Sequence, residues 1–413
     1  MRSSFSTLKR TWESLRASIR TIRGSDAAVV VVGLALAVAV RLPLLPFRSA
    51  DFFNSIKPWY TTIHAMGFAA FGTDFSTYNP PYLYELYLIA RFFPDLSNVL
   101  AIKVPSLIGD FVGAYFVYKI VALKYSRSLF PLLAALALLF APTVVLNSAF
   151  WGQADILFTA PLIACIYFLM IRRNMLAILA FGIALAFKLQ AVFLAPLLLG
   201  MALRREISLK HVLAVPLVLF LAILPAWIAG RALLDLILVY AGQVEQFQLL
   251  QMNAPTVYAW IPDVLLTQHY FTGTGVIFAA ALALSLAVLI YKSPAKLTPP
   301  LLLKLALTSV LLVPFFLPKM HDRYFYPADA LSIVYAFFFP EYFFVPLVII
   351  TSSFFAYQAH LFDLLPVPMG LLALGMFLML ILVAQDAVRA LFPAKAAANM
   401  PAPQHDLQTE SQP

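Results

Sequence analysis

Charge is what this sequence has least of. Charged residues make up 11% of the 413-residue chain and hydrophobic residues 62%, and the mean hydropathy is +0.89. A soluble domain carries about 25% charged residues, so an ordinary water-facing core is excluded. Cysteine is nearly missing as well. Cys165 stands alone inside an apolar run, which rules out an internal disulfide and any Cys/His spacing typical of a metal site. Period-two alternation is absent from stretches such as FPLLAALALLFAPTVVL, which argues against barrel strands. No Asn-x-Ser/Thr acceptor occurs, which leans towards a prokaryotic source.

Apolar runs fill the space left by charge. About 20 apolar residues make one spanning helix, and such runs recur at roughly 27–45, 103–123, 129–147, 152–171, 175–188, 190–203, 211–229, 273–291, 300–317, 324–340, 342–359 and 367–385. The fold class predicted is all-α: a polytopic membrane protein of about twelve transmembrane helices. The apolar run from Pro80 to Phe93 is short and reads as a helix lying in the membrane interface. Ile56, Tyr60 and Ile63 step by helical spacing, which predicts a second interfacial helix in the same loop. Residues 1–26 read as a basic amphipathic cytoplasmic helix, because Phe5, Leu8, Trp12, Leu15, Ile19 and Ile22 recur every three or four positions among basic residues. Residues 27–385 form the membrane domain. Residues 386–413 read as a cytoplasmic tail, small, Pro/Ala-rich and largely disordered.

The formal charge of +9 places basic residues in loops. An excess of Lys and Arg marks cytoplasmic loops, so nucleic acid is not implied. With the N-terminus in the cytoplasm, the clusters at Lys119–Arg127, Arg172–Arg173, Arg204–Lys210 and Lys292–Lys304 all fall on the inner side. The same alternation sends a different set of polar residues outward. Asp51 and Trp59 follow the first span. NSAFWGQAD carries Trp151, Gln153 and Asp155, and FKLQ carries Lys188 and Gln190. YAGQVEQFQLLQMNAPTVYAW carries Asn253, and LPKMHDRYFYPAD carries His321, Asp322 and Arg323. Polar residues at membrane depth are costly and usually line a cavity or pathway, so convergence on one outer cavity is the expectation. Five ordinary solvated loops are the alternative. Lys103 and Asp110 lie two turns apart on one span, about 10 Å, so each is expected to pair elsewhere.

The order of these motifs resembles the GT-C superfamily of integral-membrane glycosyltransferases. The carriers are the Asp51 loop with KPWY and YNPPYLYEL, then KVPSLIGD, NSAFWGQAD, FKLQ, NAPT and HDRYFYPAD, across nearly all of residues 27–385. Within the superfamily the chain looks most like bacterial and archaeal mannosyltransferases related to the GPI mannosyltransferases. Those families often have His-Glu-Arg where this chain has His321-Asp322-Arg323, with a shorter acid. The resemblance implies a GT-C fold and transfer of a hexose, mannose being the expected sugar. The donor would be a polyprenyl-phosphate-linked sugar and the acceptor a hydroxyl of a glycolipid or glycan. It also implies an active site facing out of a prokaryotic plasma membrane, or into the endoplasmic reticulum lumen of a eukaryote. The family's first-loop aspartate is its general base, and Asp51 matches it.

The expected chemistry divides the residues by role. A departing lipid phosphate gains charge, and fixed cations stabilise it more in the transition state than before it. Arg323, His321 and Lys188 are the candidates for that contact. Asp51 takes the acceptor proton, with Asp155 as second choice for base or as a sugar ligand. Gln153, Trp151, Trp59, Gln190, Asn253 and Asp322 are candidates for holding sugar or acceptor. One base suffices because phosphate leaves without protonation, and direct displacement inverts the anomeric centre. No cofactor is expected, and no carboxylate cluster at ligand spacing predicts a metal. Plainer roles stay open at this point: a helix cap for Asp51, interfacial anchors for Arg323 and His321, snorkelling for Lys188, belt aromatics for the tryptophans. A lipid or sugar transporter is the alternative function, although transporters show repeats and midplane sites that are not evident here.

Overall fold

The computed structural model describes residues 24–245, 249–261 and 269–393. The predicted amphipathic helix at the N-terminus and the tail from residue 394 lie outside the described residues, as does Gln246 of the fourth outer loop.

The chain is helical nearly throughout. In order, the helices are α1 (Gly24–Arg41), α2 (Lys57–Met66), α3 (Pro80–Phe92), α4 (Asn98–Ala122), α5 (Phe130–Phe140) and α6 (Pro142–Trp151). They continue with α7 (Asp155–Met170), α8 (Asn174–Phe187), α9 (Leu189–Leu203), α10 (Leu209–Ile228) and α11 (Leu233–Glu245). The last five are α12 (His269–Lys292), α13 (Pro299–Phe316), α14 (Tyr326–Phe338), α15 (Phe344–Phe362) and α16 (Met369–Leu391). Two short strands, β1 (Gln251–Met252) and β2 (Met320–His321), pair in parallel. The final helix runs past residue 385, the predicted end of the membrane domain, to Leu391.

Among the described residues, seven helices are long and apolar enough to cross a membrane, or eight if α5 and α6 count as one span bent by 51°. The chain is an integral membrane protein. The count falls short of the roughly twelve crossings predicted from a length of about 20 residues per span. The helices at Asp155–Met170, Asn174–Phe187 and Leu189–Leu203 are shorter, within 10–17 residues. The reason is local. Ala141 and Pro142 break α5 from α6, Gly152 turns the chain with φ +81°, and Lys188 is extended at φ −149°, ψ 140°. Backbone freed at such breaks must find partners within the protein, and all but the first of these breaks border the polar cavity described below.

Lys103 supplies some of those partners. Its ammonium donates to the carbonyls of Leu45 (2.9 Å), Phe47 (2.9 Å), Ala149 (2.8 Å) and Phe150 (2.9 Å). It thereby ties the end of α1 to the end of α6 from a fully buried position on α4. Asp110, further down α4, accepts from Arg41 Nε (3.1 Å) and Nη2 (2.9 Å) and from Ser148 Oγ (2.6 Å). The two residues therefore pair elsewhere, as their spacing predicts. Gly109 allows α4 to approach α7, since a Cβ there would lie 2.8 Å from Ile156. Each buried polar group left without a partner costs about 1–3 kcal/mol. Lys103→Met leaves several carbonyls in that state, so its unfolding midpoint in detergent is expected to fall by roughly 5–10 °C. The same change at exposed Lys292 is expected to leave the midpoint in place, and scanning fluorimetry distinguishes the two.

Candidate active site

The α6–α7 corner is the first wall of the site. The last turn of α6 widens into a π-type turn at Leu146–Trp151, and the Asn147 carbonyl accepts from the amides of both Gly152 (3.0 Å) and Gln153 (2.9 Å). Gly152 takes up the left-handed conformation that this reversal needs. Trp151 and Gln153 then face Asp51, which begins the turn after α1. Trp151 Nε1 and Gln153 Nε2 donate to Asp51 Oδ2 at 2.9 and 2.6 Å.

A second wall comes from the α8–α9 break. The extended backbone at Lys188 sends its side chain back to Asp155 Oδ1 (2.6 Å). Asp155 Oδ2 accepts from Asn147 Nδ2 (2.8 Å), and Arg323 Nε lies 3.5 Å away. One buried carboxylate thus holds two cations side by side. Arg323 Nη1 is also 3.6 Å from Asp322 Oδ1, and the guanidinium sits 5.1 Å from the centre of the Trp151 ring.

The third wall is the segment after α13. Here β2 pairs with β1, in the register Gln251 with Met320 and Met252 with His321. The Lys319 amide donates to Leu250 O (2.7 Å) and the Asp322 amide to Met252 O (3.0 Å). This clip brings Asn253, itself at φ 58°, to the cavity rim.

The enclosed space has a volume of about 550 Å³. Asp51, Trp59, Gln153, Lys188, Gln190, Asn253, His321 and Arg323 all line it. Apolar Val192, Phe193, Val276 and Leu317 line it too. Residues from five distant stretches of sequence meet there, as the alternation of spans predicts.

Three candidates stand behind the wall instead. Asp155 is completely buried and both its oxygens are occupied, so it cannot reach an acceptor, and its predicted role as alternative base or sugar ligand is corrected to that of an anchor for Lys188 and Arg323. Trp151 is 1% exposed, with Arg323 and His360 packed on its ring, so it offers no free face to a sugar. Asp322 is 2% exposed, accepts from the Arg323 amide at 2.9 Å, and serves the local turn. Two residues not singled out from the sequence do line the cavity: Tyr78, whose ring lies 4.9 Å from Trp59 and 5.4 Å from the Lys188 ammonium, and His360, at the end of α15.

Electrostatics sharpen these roles. Burial opposes the charge on Asp51, but His360, Arg323 and the Trp151 N–H outweigh it and hold the carboxyl well below its usual range. Asp51 is therefore ionised at any physiological pH. Burial likewise opposes the charge on Arg323, but Asp155 and Asp322 outweigh it. His321 is pushed down to about 3 by burial and by the charges of Arg323, His360 and Lys188. It is neutral near pH 7, a form that can offer a phosphate a hydrogen bond but no charge. Burial raises Asp322 to about 7, above the reach of Arg323's opposing charge.

That last shift predicts a pH effect on stability. A carboxyl whose folded pKa exceeds its unfolded value of about 3.9 favours folding most when protonated. Its contribution is full below about pH 4 and is lost once the pH has risen through about 7. Asp322→Asn removes the titrating group. The unfolding midpoint of the wild type is expected to fall, relative to Asp322→Asn, between pH 4.5 and 7.5, and parallel curves would refute this.

Among the described residues, no group of three or more His, Cys, Asp or Glu is placed to hold a metal ion. No protein-family model matches the chain, and no curated protein matches it. Its architecture is a helical membrane bundle with broken helices bordering a polar cavity. The crystal structure of ArnT from Cupriavidus metallidurans bound to undecaprenyl phosphate is similar to it over 88% of this chain and 78% of that one, with a TM-score of 0.53 and 14% identity. The apo state of ArnT is similar over the same shares, with a TM-score of 0.51 and 13% identity. The likeness is one of fold. It shows a fold shared with ArnT and does not reach the mannosyltransferase branch.

Proposed function

We propose that this protein is a glycosyltransferase that uses a polyprenyl-phosphate sugar, moving a hexose to an acceptor hydroxyl on the outer side of a prokaryotic plasma membrane. Mannose is the sugar proposed, and a glycolipid or glycan the acceptor. The observation that carries the reading is that Asp51 lines the same cavity as Lys188 and Arg323, together with apolar residues such as Val192 and Val276. A carboxylate, a pair of cations and apolar lining residues match the acceptor hydroxyl, the phosphate and the lipid of such a reaction. The ArnT structure that shares the fold is bound to undecaprenyl phosphate, which supports a lipid phosphate as the occupant of this cavity too.

In this reading the acceptor oxygen attacks the anomeric carbon as its proton passes to Asp51. The bond to the phosphate oxygen breaks on the opposite face, so the centre inverts. The phosphate changes from a diester to a monoester and gains negative charge. Lys188 and Arg323, less the one charge of Asp155, present a net positive charge to it, in a site where preorganised charge counts for more than in water. With its carboxyl raised to about 7, Asp322 is about half protonated at neutral pH and offsets only part of this charge. Tyr78 and Trp59 offer aromatic faces to the sugar. Basic residues at the opposite helix ends, among them Lys124, Arg172 and Arg204, support an outward-facing cavity under the positive-inside rule. Incubating the purified protein with radiolabelled polyprenyl-phosphate mannose and a glycolipid acceptor tests the reading. Label should appear in the acceptor, and no transfer from any polyprenyl-phosphate sugar would overturn it.

A further inference from the structure

Asp51 is gripped from one side. Trp151 and Gln153 donate to Oδ2, and His360 Nε2 lies 3.6 Å from that same oxygen. Oδ1 has no hydrogen bond among the described residues, and Asp51 lines the cavity. Asp51 stands in the first turn of a helical run that passes through the π-type turn Phe52–Ile56 into α2, so its backbone is fixed (φ −61°, ψ −34°) but the rotation of its carboxylate is not. Its orientation must come from side chains. Two of the three belong to the α6–α7 corner. The third, His360, comes from the far end of α15, and its ring stacks on Trp151 with centroids 5.0 Å apart and planes at 25°. The charged and titratable groups that face it are Asp51 from the turn after α1 and His321, Asp322 and Arg323 from the segment around β2.

We propose that His360 is a positioning residue for Asp51: its Nε2 side holds Oδ2 against the α6–α7 corner, so that Oδ1 is presented to the acceptor hydroxyl. This rests on the transferase reading above. The packing on Trp151 sets the ring plane, and the ring sets the carboxylate. Sequence alone gives no hint of the pairing, since the two residues are separated by nearly the whole membrane domain.

A displacement of about 1 Å in a reacting group can cost 10²-fold. His360→Ala is therefore expected to lower kcat by about 10- to 100-fold, with the KM for the polyprenyl-phosphate sugar within about twofold because His360 does not hold the phosphate. Two further variants separate positioning from packing. His360→Gln keeps an N–H donor and should recover part of kcat. His360→Phe keeps the stack on Trp151 without a donor and should be as slow as the alanine variant. Wild-type kcat in His360→Ala, or rescue by Phe and not by Gln, overturns the proposal. The pairing is also read without turnover. In protein labelled with ¹⁵N-histidine, the signal missing from His360→Gln identifies His360, and its titration midpoint should fall by about one unit or more in Asp51→Asn as the opposite charge is lost. An unchanged midpoint overturns the proposal. A wild type that transfers no sugar but shows the midpoint shift condemns the transferase reading while leaving the Asp51–His360 coupling standing.

Discussion

Asp51→Asn is expected to lower kcat by about 10²–10⁴-fold, the range attributable to a positioned proton acceptor, while the KM for the lipid-linked donor changes little. Asparagine matches the carboxylate in shape. Its carbonyl oxygen can take the Oδ2 position and still accept from Trp151 and Gln153, which now lie at 2.9 and 2.6 Å. The fold and the donor site are therefore preserved, and the change isolates the proton step. Because Asp51 is held below the usual carboxylate range, the wild type should show no loss of activity from its protonation down to pH 5. A low pKa makes Asp51 a weak base, one that accepts the proton only as the oxygen–carbon bond forms. A Michaelis constant that rises in parallel with a fall in kcat/KM, at constant kcat, would instead mark Asp51 as a binding residue.

Arg323→Met is expected to lower kcat/KM by about 10²–10³-fold, the scale of losing one preorganised charge at a developing anion. The guanidinium is the better placed of the two cations for a forked contact, because it lines the cavity while Asp155, Asp322 and the Trp151 ring fix its plane. Arg323→Lys keeps the charge but not the fork, so only part of the loss should return. Lys188→Met should be milder. Each variant leaves one cation beside Asp155, but Lys188→Met keeps the forked guanidinium, 3.5 Å from that carboxylate, whereas Arg323→Met keeps an ammonium already held by it at 2.6 Å. A titration of kcat/KM against each variant at one donor concentration series separates these outcomes.

Much of this site was legible in the sequence because a membrane chain alternates sides, and polar residues at helix ends betray their side. That logic brought Asp51, Lys188, Asn253 and Arg323 to one end of the bundle, and they share one cavity. It could not say which polar side chains face the cavity and which stand behind it. Asp155 and Trp151 lie in the same motif as Gln153 and all three are buried, yet the π-type turn and the left-handed Gly152 bring only Gln153 to the cavity wall. Those turns depend on carbonyls satisfied by Lys103 from another helix, a long-range fact. Helix length alone accounts for seven or eight of the roughly twelve predicted crossings for a related reason. Apolar runs such as the one around Lys188 are continuous in composition but broken in conformation. His360 was missed for a simpler reason. In YQAHLFD it reads as an ordinary interfacial residue, although the order of spans already places it on the Asp51 side.

The most direct measurement is a cryo-electron microscopy map of the protein in a lipid nanodisc with a non-transferable polyprenyl-phosphate sugar analogue. The expected map has the phosphate within hydrogen-bond reach of Arg323 and Lys188, the anomeric carbon on the Asp51 side, and the polyprenyl chain running out past Val192 and Val276. Lipid-phosphate density elsewhere on the protein, with the cavity between Asp51 and Arg323 left without sugar, would contradict the proposed reaction.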